Sequence, residues 1–171
     1  YNVANKYFNI IYYASVIVIT PFWSAFTDAY AKNDYAWMNS MVRRLLKVWL
    51  LICAIGILMV IMSPLFYKIW LGKSVEMPIG ISIAMFFLII SQSLGEIFMT
   101  LINGIGTIRI QLITYVIFAV LAWPLFTISG KEFGLIGIIA IPSAVYMVQG
   151  VISLIQIKKI LNKTAKGIWL K

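Results

Sequence analysis

Five long segments without a charged residue constrain this chain more than any other feature. They cover residues 7–27, 48–67, 77–95, 110–130 and 133–157, and each has between 19 and 25 residues. About 20 residues of α-helix are enough to cross the roughly 30 Å hydrocarbon core of a membrane. The segments are continuously apolar and do not alternate in polarity, so they predict membrane helices and not the strands of a barrel.

The fold class expected from these segments is an all-α integral membrane protein with five transmembrane helices. The third apolar segment continues past Gly95 and includes Glu96. With flanking residues added, the predicted spans cover about 5–28, 45–67, 77–104, 109–129 and 133–158, and a tail follows at 159–171.

Composition excludes several classes of function. The chain is 63% hydrophobic and only 11% charged, whereas an ordinary soluble domain has about a quarter charged residues. A soluble enzyme core is therefore excluded. Histidine is absent and Cys53 is the single cysteine, which excludes imidazole-based catalysis, a disulfide framework and a cysteine metal site. We expect no catalytic residue, no metal ion and no cofactor.

Basic residues indicate the orientation in the membrane. If the connections alternate between the two sides, one side receives ten Lys and Arg residues and the other receives four. The positive-inside rule places the richer side in the cytoplasm, so the chain starts outside and its tail lies inside. The net charge of +9 is thus mainly an orientation signal, and a nucleic-acid partner is not expected.

The first span carries a polar stripe along one side. At 100° per residue its members fall within an arc of about 60°. Polar groups that face lipid are costly. The stripe therefore faces either a water-filled cavity, which we favour because it contains a cation, or a neighbouring helix as a hydrogen-bonded seam. Pro21 predicts a kink in the same helix. The stripe consists of Asn2, Lys6, Asn9, Tyr13, Thr20, Ser24 and Thr27.

Several other polar residues each allow two interpretations of their role. Glu96 is the only acidic residue inside a predicted span; it is either a coupling residue, together with Gln92, or a carboxylate solvated near the headgroups. Arg43 and Arg44 either reflect only the positive-inside rule or attract a phosphate headgroup on the cytoplasmic side.

Polar residues also line up in two later helices. The third predicted helix places four of them on one side, namely Gln92, Glu96, Thr100 and Asn103. The fifth has Gln149, Ser153 and Gln156, which are more typical of helix packing.

Short motifs along the chain resemble the C-terminal part of a transporter family. They are Tyr1-Asn-Val-Ala-Asn-Lys-Tyr7, Pro21-Phe-Trp-Ser24, Ile69-Trp-Leu-Gly72, Asn103-Gly-Ile-Gly106 and Gly134-Leu-Ile-Gly137. In this order they are similar to Wzx-type flippases of lipid-linked oligosaccharides, members of the multidrug/oligosaccharidyl-lipid/polysaccharide (MATE-like) superfamily. The resemblance implies the last five helices of a two-bundle transporter of the bacterial inner membrane, whose N-terminal helices belong to the same protein.

The function implied by this resemblance is alternating-access transport, not enzymatic catalysis. The cargo would be an undecaprenyl-pyrophosphate-linked oligosaccharide used in polysaccharide or O-antigen biosynthesis, with membrane lipids around it. Lys6 stands where the family often has a basic residue, and cavity cations are thought to bind the pyrophosphate and anionic sugars. The chain departs from the family at Thr107 and Arg109, where many relatives have Lys after the glycine turn, and at Pro142.

Three other functions remain open from the sequence. A MATE-type exporter of drugs or metabolites would differ in its substrate. A membrane-embedded transferase acting on lipid-linked sugar would need a catalytic Asp or His at a membrane boundary. The sequence has no histidine and few acidic residues at such positions. A purely structural subunit would pack all its polar faces against partners.

Overall fold

The computed structural model describes residues 1–72 and 77–170, and every element in these ranges is helical. Lys73 and Lys171, two of the basic residues in the orientation count, lie outside the described residues. The elements are α1 (Asn2–Ile19), α2 (Phe22–Ala31), α3 (Tyr35–Leu71), α4 (Ile79–Ile105), α5 (Arg109–Leu161) and a final 3₁₀ helix (Gly167–Leu170).

Four helices in the described part of the chain are long and apolar enough to cross a membrane, not five. They are Asn2–Ala31, which joins α1 and α2, then α3, α4 and α5. The count differs from the predicted five because the fourth and fifth predicted spans belong to one element. That element, α5, has 53 residues.

The helical geometry of α5 is broken at Gly134. This residue has φ 58° and ψ −138°, a conformation that is strained for residues with a side chain. Beyond the break the chain returns, because the Gln156 Nε2 donates to the Thr107 carbonyl at 2.9 Å. A continuous helix would separate residues 49 positions apart by about 70 Å. The two limbs of α5 therefore run antiparallel, without a loop between them.

The start of the chain contains the break that Pro21 predicts. Helix α1 ends at Ile19 and α2 begins at Phe22. Proline lacks the N–H that would continue the helical hydrogen bonds. The Thr20 hydroxyl donates to the Val16 carbonyl at 2.7 Å and so occupies one acceptor beside the break.

Helix α3 begins ten residues earlier than the predicted span at 45. Asp34 accepts a hydrogen bond from the Trp37 N–H at 3.0 Å and caps the helix, as carboxylates commonly do at this position. Asp28 pairs with Lys32 at 2.7 Å, the ion pair that the described residues contain.

The described part of the predicted tail, residues 159–170, packs against the rest of the chain. Helix α5 continues to Leu161, and Ala165 is buried. The Trp169 carbonyl accepts a hydrogen bond from Gln156 at 3.2 Å, while the Lys163 ammonium lies 4.9 Å from the centre of the Tyr35 ring. These contacts fold the tail back onto the helix bundle.

The bundle is largely apolar on its exterior as well as in its core. Large apolar side chains such as Ile17, Ile69 and Val120 are about three-quarters exposed. Such an exterior suits lipid, and small polar residues between helices allow close packing and hydrogen bonding. Buried polar side chains are Ser15, Ser63, Ser82, Ser91, Ser93, Thr100, Thr107, Ser143, Gln149, Ser153 and Gln156.

Helix α4 lies at the centre, in contact with α1, α2, α3 and α5. At one end of the bundle, Thr27 donates to the Gly104 carbonyl at 2.8 Å. This is also the end where most of the basic residues lie, and we call it the basic end. At the opposite end, the Tyr67 and Ser82 hydroxyls are 3.0 Å apart, and this end also contains the start of α1 and the break at Gly134.

Candidate functional site

The polar stripe lies on the side of α1 and α2 that faces away from the bundle. The opposite side of α1 is buried, with Ala4, Phe8, Ile11 and Ser15 among its members. Asn9 is half-buried, and the other members of the candidate site on this stripe are exposed, namely Asn2, Lys6, Tyr13, Thr20 and Ser24. The spacing thus identifies one continuous face, and that face is not covered by the described residues.

Hydrogen bonds of this stripe mostly stay within its own helices. Asn9 Nδ2 donates to the side-chain oxygen of Asn5 at 2.7 Å, and the Ser24 hydroxyl donates to the Pro21 carbonyl at 3.2 Å. Thr27 is different, because its hydroxyl reaches the Gly104 carbonyl on α4. The stripe is therefore an interhelical seam only at Thr27, within the described part of the chain.

Glu96 and Gln92 lie half-buried on α4. Glu96 is about 26 Å from the start of this helix and about 14 Å from its end, which places it in the half nearer the basic end. The Tyr12 side chain on α1 approaches both Gln92 and Glu96. Tyr115 on the first limb of α5 lies near Glu96 and Tyr12, and Tyr146 on the second limb lies against Gly95, next to Glu96 in sequence. We call these five residues the Glu96 cluster.

A cavity of about 340 Å³ lies beside this cluster. It is lined by Asn103, Gln111 and Tyr115, together with apolar residues of α5. The Gln111 side-chain oxygen is buried and has no hydrogen-bond partner among the described residues. An unpaired buried acceptor is costly, so this cavity is a place where a polar group or water would be stabilised.

Tyr12 connects the cluster with the stripe. On a helix of 100° per residue, Tyr12 lies between the buried side of α1 and the side that carries Asn9 and Tyr13. Lys6 is six residues before Tyr12, about 9 Å towards the opposite end. Lys6 and Glu96 form no ion pair with each other.

Sequence reasoning missed the three tyrosines of the cluster. Tyr12 falls outside the arc of the stripe, and Tyr115 and Tyr146 lie on a helix where the amides and serines were considered instead. Their signal is the presence of a hydroxyl in an otherwise apolar span, since buried tyrosine hydroxyls usually find a partner. Only the fold shows that they meet at Glu96.

The remaining candidates lie elsewhere in the molecule. Arg43 and Arg44 are exposed on α3 near the basic end, away from the stripe. Gln149, Ser153 and Gln156 are buried, and Gln149 donates to Ser153 at 2.9 Å, as their interpretation as packing residues predicts.

No group of three or more histidine, cysteine, aspartate or glutamate side chains that could hold a metal ion occurs within residues 1–72 and 77–170. No protein-family model, curated protein or solved structure matches this chain.

Proposed function

We propose that this protein is the C-terminal part of a transporter that flips undecaprenyl-pyrophosphate-linked oligosaccharide across the bacterial inner membrane by alternating access. One observation carries the proposal. The polar stripe, with Lys6 in it, is exposed on a bundle whose exterior is otherwise apolar. Because polar groups facing lipid are costly, this face requires water or a facing protein wall. The resemblance of the motifs to Wzx-type flippases supports the same function.

The proposed topology has five crossings. Each limb of α5 has about 25 residues and a length of about 38 Å, enough to cross a bilayer of about 30 Å. The break at Gly134 then turns the chain at the outer surface, and the basic end faces the cytoplasm according to the positive-inside rule. Further helices of the same transporter would form the wall that faces the stripe.

Lys6 is the proposed contact for the charged part of the substrate. It is exposed near the start of α1, with Asn2, Asn9 and Tyr13 on the same face. In a cavity of low effective dielectric constant, an ammonium group attracts a pyrophosphate or an acidic sugar more strongly than it does in water. Arg43 and Arg44 are proposed to attract the phosphate headgroup earlier, at the cytoplasmic surface.

Glu96 is the proposed coupling residue. It is the acidic side chain within the described helices that lies near tyrosines of α1 and α5. Such a carboxylate can take up a proton or another cation and thereby change its interaction with the Tyr12 hydroxyl. Because Tyr12 lies on α1 and Glu96 on α4, a change in charge at Glu96 would alter how these two helices pack.

The experiment that tests this function is export of surface polysaccharide in a bacterial strain that depends on this protein. Lys6→Ala should reduce export strongly while the amount of protein in the membrane stays the same, because the variant removes an exposed charge and no packing contact. Lys68→Ala is the matched control, since Lys68 is an exposed lysine at the same end of the bundle. Equal export by wild type and Lys6→Ala would contradict the role of Lys6.

A further inference from the structure

Three aromatic rings form a continuous stack next to Lys6. Tyr7 on α1 stacks on Phe66 of α3, with ring centres 4.1 Å apart and planes inclined by 22°. Phe66 stacks in turn on Trp70, at 5.6 Å and 22°. The Tyr7 hydroxyl donates to the Met59 carbonyl at 3.2 Å and so fixes the ring between the helices. The sequence places Tyr7 far from Phe66 and Trp70, which are one helical turn apart on α3, and only the packing of α1 against α3 joins them.

The stack borders a cavity of about 260 Å³ at the opposite end of the bundle. We call it the aromatic pocket; its lining includes Asn2, Lys6, Tyr7, Ile10, Phe66 and Trp70. Sites for drug-sized ligands usually measure about 300–1,000 Å³. The aromatic pocket therefore suits one sugar ring and not a whole oligosaccharide.

The residues of this pocket offer three complementary kinds of contact. Trp70 is 69% exposed, and the negative face of its indole suits the weakly positive C–H groups on one side of a pyranose. The Lys6 ammonium provides hydrogen-bond donors and a positive charge, and the Asn2 amide can donate to and accept from hydroxyl groups. An uncharged apolar ligand would leave Lys6 and Asn2 unused, and a simple anion would leave the rings unused.

An interfacial anchor is the ordinary role of a tryptophan at this depth, but it does not require a stack or a cavity. Trp123 on α5 is an exposed tryptophan without such a stack. It is 83% exposed and takes part in none of the aromatic pairs among the described residues. Trp70 differs from Trp123 because the rings of Phe66 and Tyr7 stack behind it and because Lys6 lines the same pocket.

We propose that the aromatic pocket binds one acidic pyranose, such as a uronic acid, with its ring on Trp70 and its carboxylate on Lys6. The inference rests on the proposed function, which supplies the glycan, and it adds the chemical class of one sugar unit. It assigns binding roles to Tyr7, Phe66 and Trp70, which the sequence did not single out, and it gives Lys6 a carboxylate to bind.

Direct binding tests this proposal independently of transport. The protein in nanodiscs of neutral lipid is titrated with a soluble oligosaccharide that ends in glucuronic acid and with the same oligosaccharide ending in glucose. Wild type should bind the acidic probe about tenfold more tightly, which is the effect of one hydrogen bond to a charged group. Lys6→Gln should remove this preference by weakening binding of the acidic probe far more than binding of the neutral probe.

Variants of Trp70 test whether its indole ring binds the sugar. Trp70→Ala should weaken both probes to the same degree, and Trp70→Phe should restore most of the binding because it keeps a ring. Trp123→Ala and Lys68→Gln are the matched controls and should change neither probe. Unchanged binding in Trp70→Ala, or equal weakening of both probes in Lys6→Gln, would overturn the proposal.

Two further outcomes distinguish sugar binding from lipid binding and from the flippase function itself. If nanodiscs of anionic lipid abolish the difference between wild type and Lys6→Gln in affinity for the acidic probe, Lys6 binds lipid headgroups and the proposal is wrong. If the strain exports acidic and neutral polysaccharides equally well with wild type and Lys6→Gln, the flippase function stands and the sugar assignment fails. Failure of wild type to export either polysaccharide contradicts the function itself.

Discussion

The interface between α4 and the second limb of α5 and the polar stripe of α1 contain similar residues in opposite environments. In the interface, Gln149 and Ser153 are buried and bonded to each other, and Gly95 and Gly150 lie against Tyr146 and Leu94. In the stripe, side chains of the same types are exposed. The Gln149–Ser153 bond and most bonds of the stripe stay within one helix, so the two regions differ in what covers them. A polar residue in an apolar helix contributes to the fold where another helix packs against it.

The largest expected effect is a loss of stability when a larger side chain is placed in the interface between α4 and the second limb of α5. A Cβ at Gly150 would already lie 3.1 Å from the Leu94 Cγ and 3.3 Å from the Gly95 nitrogen. Gly150→Leu should therefore lower the free energy of unfolding by about 1–3 kcal/mol, measured by thermal or SDS-induced unfolding in detergent. Ala54→Leu, at an exposed position of α3, should change it by less than about 0.5 kcal/mol. Equal effects at the two positions would mean that the interface is not close-packed.

A smaller effect is expected where a side chain of α5 joins the bundle to its tail. Gln156 donates to the Thr107 carbonyl at 2.9 Å and to the Trp169 carbonyl at 3.2 Å. Gln156→Leu should lower the free energy of unfolding by about 1 kcal/mol and speed tryptic cleavage after Lys163. Ile155→Leu, an exposed neighbour, is the control. Unchanged cleavage in Gln156→Leu would show that other contacts hold the tail.

Much of this fold is predictable because hydrophobic length and helix breakers act locally. The α4 boundaries, the break at Pro21 and the single polar face of α1 all follow from residues close in sequence. The early start of α3 depends on the Asp34 cap. The turn inside α5 depends on a single glycine, where the sequence suggested a connection between separate helices.

The candidate site is predictable only in part. Lys6 and Glu96 are conspicuous because charge is rare in apolar spans. The aromatic stack and the Glu96 cluster combine residues from several helices, so their existence depends on helix packing that periodicity does not encode. Tyr7 illustrates this limit, since its ring contacts Phe66, 59 positions further along the chain.

The smallest expected difference lies within the stripe itself, between Thr27 and Ser24. The Thr27 hydroxyl donates to Gly104 on α4 at 2.8 Å, whereas the Ser24 hydroxyl stays within its own helix. Thr27→Val should therefore lower the free energy of unfolding by about 0.6 kcal/mol, the average for interhelical hydrogen bonds in membranes. Ser24→Ala should cause no measurable loss, and unfolding in detergent compares the two variants directly. If Ser24→Ala destabilises the protein as much as Thr27→Val does, the exposed face is a packing seam along its whole length, and the case for a cavity fails with it.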